Sequence, residues 1–389
     1  MISKFLGLIK FIKKKFVQLY ALMILRLNSY DMVFYVVRPF QETYLISIID
    51  ELADKYKIAL LRVDERDVLD GKWIEVESDI DIFSFSPRLL KHLKIPLFIT
   101  PETFEKRASL PDSKYCIHVP HSPVSLHMIY PQGRFNAFDV LFAVGEHHVK
   151  EFAALRNNDS ILTFPVGYTR SDYLIKEYSV YKKKQSQEER KVVLIAPSWH
   201  EDNILEVIGI DLVGDLLQKD YYIIFRPHYK IAELKPEFIE SLQNKFAGFC
   251  NFTIDVAGAN NLGIFKADLL ISDYSGIAFE YAFLREKPVL FIDTPPKERN
   301  FNWKSLGIEP IEISLRNYIG KVVPAERNAL LDAVEYLFKN NDSYKTSIKE
   351  IRELYYYNYY YGTGKKAAIY LEDLLANNEE LAITSKGSV

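Results

Sequence analysis

The stretch "LLISDYSGIAFEYAFLREKPVLFID", residues 269–293, contains a complete strand, loop, helix, turn and strand. Its first apolar run ends at Ser272, and Asp273-Tyr274-Ser275-Gly276 forms the loop. Helical spacing follows, and "PVLFID" (288–293) is the next apolar strand. A helix opening at Ser275-Gly276 leaves its first N–H groups without intrahelical partners and puts the positive end of its dipole there. That geometry suits a phosphate. Gly276 permits close backbone approach, and Ser275 adds a hydroxyl donor. Glu280, four residues beyond Gly276, shares its helix face, where a carboxylate would meet a ribose diol. A plain helix cap by Asp273 or Ser275, with Glu280 in solvent, accounts for the same residues.

Outward from this unit the rhythm repeats. "KVVLIAP" (191–197), "YYIIFRP" (221–227) and "FTIDV" (252–256) are apolar runs, with helices expected near 203–218 and 235–246. An earlier series comprises "MVFYVV" (32–37), "KIALLRV" (57–63), "PLFIT" (96–100), "KYCIHV" (114–119), "DVLFAV" (139–144) and "ILTFPVG" (161–167). Near-continuous apolar strands separated by helices predict parallel sheets covered on both faces. Between the two series, "YKKKQSQEERK" (181–191) is polar apart from its tyrosine and reads as a linker. At 389 residues the chain exceeds what one core supports. The predicted class is therefore α/β, with two doubly wound Rossmann-like domains, 31–180 and 192–345, facing across a cleft. C-terminal helices over 346–378 and a frayed tail, 379–389, complete the expectation. Ligands of such sheets bind beyond the carboxyl ends of the strands, and each motif below lies at such an end.

In "FRPHYK" (225–230), Arg226 and His228 flank a proline that stops the strand and projects both side chains. The guanidinium fork suits phosphate, and the imidazole would steady or protonate a departing one; an ordinary strand exit uses the same residues. "APSWHEDN" (196–203) brings Ser198 as a phosphate donor, while Trp199 and His200 would stack on a base or cover the sheet. In the first series, "HVPHSPVS" (118–125) sets His121 and Ser122 at a turn facing the cleft, where His121 would be a general base. "VGYTRSDYL" (166–174) supplies Arg170 and Asp172 as cleft contacts or helix caps. A metal site of His118, His121, His147 and His148 is disfavoured: "HVPH" is not on a helix, cysteine pairs are lacking, and two of the histidines are adjacent. Asp79 and Asp81 of "SDIDIF" (78–83) read as outward positions on a strand. Cys116 and Cys250, far apart in apolar runs, are expected to be buried thiols of a reducing compartment.

The net charge of -3 excludes a global nucleic-acid binder, which needs a basic excess. Residues 1–27, "MISKFLGLIKFIKKKFVQLYALMILRL", depart from that average: Lys4, Lys10, Lys13, Lys14, Lys15 and Arg26 stand among apolar residues without an acid. The uncharged run Phe16 to Leu25 is about half of the roughly 20 residues a spanning helix needs, and no small-residue cleavage site follows it. An amphipathic helix over 1–30, lying on an anionic membrane surface through residues 1–27, is expected; a helix packed on the protein's own core is the competing reading.

In chain order, His-Ser-Pro (121–123), Gly-Tyr-x-Arg-x-Asp (167–172), Ala-Pro-Ser-Trp (196–199), Arg-Pro-His (226–228) and Ser-Asp-Tyr-Ser (272–275) resemble the CDP-glycerol glycerophosphotransferases that build teichoic-acid and related capsule backbones. The resemblance runs from about His118 to Pro288, and "YGTGKK" (361–366) is similar to the family's C-terminal glycine-lysine segment. It implies a GT-B fold and a peripheral position on the cytoplasmic face of the cell membrane. It also implies CDP-glycerol or a related CDP-polyol as donor and a polysaccharide or lipid-linked acceptor. The acceptor hydroxyl would attack the β-phosphorus, and CMP would leave. By this resemblance His121 is the base, His228 steadies the pyrophosphate, Ser275 binds phosphate and Glu280 the ribose. The chain departs from the family pattern at Ser122, Gly276 and Glu280, where Gly, a second Ser and Asp are usual. Those departures leave open a CMP-sugar-dependent GT-B glycosyltransferase of sialyl or Kdo type, or a non-catalytic GT-B-like scaffold. No cofactor beyond the donor is implied, and metal dependence stays open.

Overall fold

Runs such as Val140–Ala143, Val192–Ala196 and Leu269–Ser272 bury every residue, as strands covered on both faces must. The computed structural model describes residues 2–63, 73, 75–156, 160–184, 190–256 and 260–377, with side chains from Ile12 onward. Its first sheet contains β1 (Met32–Val36), β2 (Ile58–Arg62), β3 (Asp81–Ser84), β4 (Lys94–Thr100), β5 (Asp112–His118), β6 (Val140–Ala143) and β7 (Leu162–Pro165), in the order β3-β2-β1-β4-β5-β6-β7. The second contains β8 (Val192–Ala196), β9 (Tyr222–Phe225), β10 (Phe252–Ile254), β11 (Leu269–Ser272), β12 (Val289–Asp293) and β13 (Gly320–Pro324), in the order β10-β9-β8-β11-β12-β13. All pairings are parallel. Both sheets reverse their winding direction at a switch point, between β1 and β4 and between β8 and β11, and that is where open α/β sheets bind ligands. The result is a GT-B-like architecture of two facing doubly wound domains.

Several elements differ from expectation. The helix expected over 203–218 is two, Ile204–Ile208 and Asp211–Gln218, because Gly209 ends the first with φ at +79°. β13 has only five residues and lies outside every apolar run noted above. Of the presumed linker, 181–184 are the last turn of the helix Arg170–Lys184, and 185–189 lie outside the described residues. The tail 379–389 also lies outside them. Cys116 is buried as expected, but Cys250 is exposed, in the turn that precedes β10.

The C-terminal segment crosses back to the N-terminal domain. Lys345–Tyr355 packs on the helix Ile277–Arg285, whereas Thr363–Leu375 packs on Ile46–Leu52. The aromatic run between them makes the crossing: Tyr357 N donates to Val144 O at 2.9 Å, and Asn358 Nδ2 donates to Val166 O at 3.0 Å. Gly167, at φ +104°, has no room for a side chain, since a Cβ would lie 2.2 Å from Tyr357 O. The N-terminal helix Ile2–Leu27 sends Ala21 and Leu25 into the N-terminal core. Among the described residues no helix is long and apolar enough to cross a membrane.

Candidate active site

The loops after β1, β4 and β5 face those after β8, β9 and β11 across a cavity of about 540 Å³, within the range of nucleotide-sized ligand sites. His121, Ser122, Arg170, Arg226, His228, Ser275, Gly276 and Glu280 all line it. Ser198 and Asp172 do not.

His121 and His228 differ in a way that fixes their chemistry. His121 Nδ1 lies 3.0 Å from Pro101 O. A carbonyl only accepts, so Nδ1 carries the proton and the lone pair is on Nε2. His228 caps the helix Tyr229–Leu234, and its Nδ1 accepts from Lys230 N at 3.2 Å. Its proton is therefore on Nε2. Burial, followed by the charges of Lys297, Lys230, Arg299 and Arg38, holds the His228 pKa well below the usual imidazole range. The nitrogen left over is thus an acceptor on His121 and a donor on His228, and both residues line the cavity.

The turn carrying His121 is fixed from behind. Tyr356 Oη donates to Pro123 O at 2.7 Å, and Nε2 of His147 and of His148 donate to Pro123 O and Val124 O at 3.3 and 3.0 Å. Burial lowers the pKa of both histidines. His118 bonds Glu102 O at 3.3 Å, and burial pushes it down to about 3. The four histidines considered for a metal thus each hold backbone, and the described residues include no metal-binding group of His, Cys, Asp and Glu.

The Ser275-Gly276 turn opens the helix Ile277–Arg285 and closes on the opposite domain. A Cβ on Gly276 would lie 3.0 Å from Pro123 Cδ and 3.6 Å from Ser122 Oγ. Asp273 does not cap this helix. Its carboxylate accepts from Ser198 N at 2.8 Å and from Ile204 N at 3.2 Å, which ties the loop after β8 to the end of β11. Glu280 is not in solvent either. It accepts from Tyr168 Oη at 2.6 Å and faces Arg170 Nε at 3.2 Å, both on the other domain, and both members of the Arg170–Glu280 ion pair are nearly buried. Arg170 also reaches Thr43 Oγ1 and Asn261 Oδ1, at 2.8 and 2.9 Å. Arg226 donates to Asn260 O at 2.5 Å and faces Asp255 at 3.3 Å.

Two of the expected site residues stand away from the cavity. Ser198 is buried and donates to His200 Nδ1 at 2.6 Å, while His200 Nε2 donates to Pro295 O at 3.0 Å, so its hydroxyl braces a loop instead of meeting a phosphate. Asp172 accepts from Gly364 N at 2.8 Å, holding the first turn of Thr363–Leu375, because that helix returns to the N-terminal domain. The glycine-lysine segment is thereby tied to the motif at 167–172.

Further cleft residues were invisible to the motif reading. Lys297 and Arg299 come from the loop after β12, and the Arg299 guanidinium sits 3.4 Å above the Trp199 ring, which also stacks on His228. That face of Trp199 holds an arginine, not a base. Arg38, after β1, pairs with Glu233 of the other domain at 2.6 Å. Glu312 accepts from Ser125 N at 3.1 Å, and burial pushes its carboxyl up to about 7. Single basic residues in a short polar loop carry no periodic signal, although the Pro-Pro pair before Lys297 marks a stiff turn.

Comparison with known proteins shows the family and the fold. The family model of CDP-glycerol:poly(glycerophosphate) glycerophosphotransferase matches residues 131–367. The match begins beyond His121 and Ser122. A teichoic acid poly(glycerol phosphate) polymerase of Staphylococcus epidermidis is 26% identical over 171 residues, 40% of this chain and 22% of that protein. A teichoic acid glycerol-phosphate primase of Bacillus spizizenii is 32% identical over 164 residues, 40% of each chain. The alignments thus span well under two thirds of these relatives. In fold, the chain is similar to the wall teichoic acid polymerase TagF, with a TM-score of 0.59 at 17% identity over 90% of this chain and 89% of that one. It is also similar to a UDP-GlcNAc 2-epimerase from Neisseria meningitidis, with a TM-score of 0.55 at 18% identity over 89% of this chain and 99% of the other. With more than half of its length matched by the family model, the chain belongs to the CDP-glycerol:poly(glycerophosphate) glycerophosphotransferase family.

Proposed function

We propose that the protein transfers glycerol phosphate, or a related polyol phosphate, from a CDP-activated donor to a hydroxyl of a membrane-associated polysaccharide or lipid-linked acceptor in cell-surface polymer synthesis. The observation that carries this reading is the opposed pair of imidazoles beside one cavity, an acceptor Nε2 on His121 and a donor Nε2–H on His228. His121 takes the proton of the acceptor hydroxyl as its oxygen bonds the β-phosphorus. The bond from that phosphorus to the bridging oxygen breaks, and CMP leaves with its new charge met by His228 Nε2–H, Arg226 and the Ser275-Gly276 helix start. Glu280 is read as the ribose contact, its carboxylate oriented by Tyr168 and Arg170. Catalysis of this kind rests on positioning and charge neutralisation. No metal is assigned.

The N-terminal helix is read as the contact with an anionic membrane on the cytoplasmic face. Phe16, Tyr20, Met23 and Leu27 recur at helical spacing and are exposed, opposite the buried Ala21 and Leu25. Lys13 and Lys15 flank that stripe, as interfacial helices require. One face packs on the protein and the other is left for lipid.

Incubation with CDP-glycerol and a lipid-linked acceptor should release CMP, with the product mass raised by one glycerol phosphate. CMP released only from a CMP-sugar would replace this reading with glycosyl transfer. Binding of CDP without turnover of any donor would make the protein a scaffold.

A further inference from the structure

The loop after β12 runs Asp293-Thr-Pro-Pro-Lys-Glu-Arg-Asn300, and it is anchored at both ends to parts of the cleft wall. At its start, His200 Nε2 donates to Pro295 O at 3.0 Å, and that ring is oriented by Ser198. At its end, Arg299 N and Asn300 N both donate to Met128 O at 2.9 Å, while Asn300 Nδ2 donates to His127 O at 2.8 Å and Tyr130 O at 3.1 Å. The loop is therefore a strap from the C-terminal domain bound to the turn that follows His121. Prolines 295 and 296 restrict its backbone between the anchors. Lys297 is held midway and lines the cavity, half-buried.

We propose that Lys297 is a ligand of the donor's phosphate groups, delivered by this strap to the leaving-group side of the cleft. Lys297 and His228 line the same cavity, and of the charges that lower the His228 pKa that of Lys297 is the strongest. Burial depresses the lysine's own pKa, and the carboxylates acting on it are those of Glu312 and Asp273. Asp273 is committed to Ser198 N and Ile204 N, and Glu312 to Ser125 N. A compact ammonium with three donors, brought part-way out of water, gains most from an anionic ligand. The strap also explains why Ser198 is turned away from the cleft. It fixes His200, which fixes Pro295, two residues before the lysine.

The inference rests on reading the cleft as a nucleotide-donor site. Its test compares Lys297→Met and Lys297→Arg with the parent by calorimetric titration of CDP, CMP and cytidine, together with CMP release from CDP-glycerol. Lys297→Met should weaken CDP at least tenfold and CMP by less, leave cytidine within twofold, and lower the donor kcat/KM by about the same factor as CDP affinity. Lys297→Arg should restore most of the CDP affinity. Unchanged CDP binding in Lys297→Met, or equal weakening of cytidine, would overturn the proposal, the second outcome marking the lysine as merely structural. If the parent binds CDP in a Lys297-dependent way yet turns over no CDP-glycerol, the phosphate site stands and the proposed reaction fails.

Discussion

His121 and His228 are chemically identical side chains beside one cavity, and the backbone atom each Nδ1 meets gives them opposite protons. Replacing His121 with Asn should lower kcat about 10²- to 10⁴-fold, with CMP affinity kept within twofold, in steady-state kinetics paired with calorimetry. Gly276 belongs to the same scale. A Cβ there would meet Pro123 at 3.0 Å, so Gly276→Ala should push the His121 turn away from the helix start. We expect kcat to drop at least fivefold with a smaller change in CMP affinity; an unaltered kcat would show that the two loops yield freely. At this scale the sequence was legible where a residue's neighbours in the chain set its direction, as Pro227 does for Arg226 and His228. It was illegible for Ser198 and Asp172, whose partners His200 and Gly364 are chosen by a loop brace and by a helix that returns from 192 residues away.

Elements assemble these residues into a cleft. Long apolar strands could be read directly because burial on both faces forces an uninterrupted apolar run. β13 was not, since a five-residue edge strand needs little apolar sequence, and the role of the strap follows from its anchors, not its composition. The N-terminal helix shows the same limit: its two apolar faces cannot be assigned from the sequence, yet among the described residues Ala21 and Leu25 are buried in the core and Leu22 packs partly against it. Phe16→Glu with Tyr20→Glu should therefore abolish co-flotation with vesicles rich in anionic lipid and leave Tm within about 2 °C, because both side chains are exposed. A fall in Tm together with retained flotation would reverse the assignment of faces. Between the domains, the helix Ile311–Ser314 carries Glu312 against Ser125. Its carboxyl stays protonated in the fold up to about pH 7, while an unfolded chain loses that proton near pH 4.3. Folding is thus unpenalised below the unfolded value. The penalty grows as pH rises through that window and levels off above about 7, at a size on the order of 3 kcal/mol. Glu312→Gln should raise Tm relative to the parent at pH 8 and have little effect at pH 4, measured by thermal unfolding across pH.

For the whole molecule, the question is how rigidly the two domains are held, and Glu280 is where that question meets the chemistry. It lines the cavity from the C-terminal domain and joins the domains there, through Tyr168 Oη at 2.6 Å and Arg170 Nε at 3.2 Å. Arg170 is buried and has Glu280 as its strongest favourable charge. Removing a single partner from a buried pair commonly costs about 3–5 kcal/mol, since the other charge is left uncompensated. Glu280→Gln keeps an acceptor for Tyr168 and loses the charge; Glu280→Asp keeps the charge on a side chain one methylene shorter. If the carboxylate works as an interdomain bolt, Gln should lower Tm by roughly 4–6 °C and Asp by less, and calorimetry should show the single transition broadening or dividing as the domains uncouple. CDP, bound across the cleft as proposed, should restore part of that Tm in proportion to the logarithm of its concentration. If Glu280 serves the ribose alone, both variants should lose CMP affinity at an unchanged Tm. The two roles are compatible, and a joint loss would mean that donor binding and domain closure draw on one carboxylate, so that a nucleotide gripping Glu280 also sets the spacing between His121 and His228.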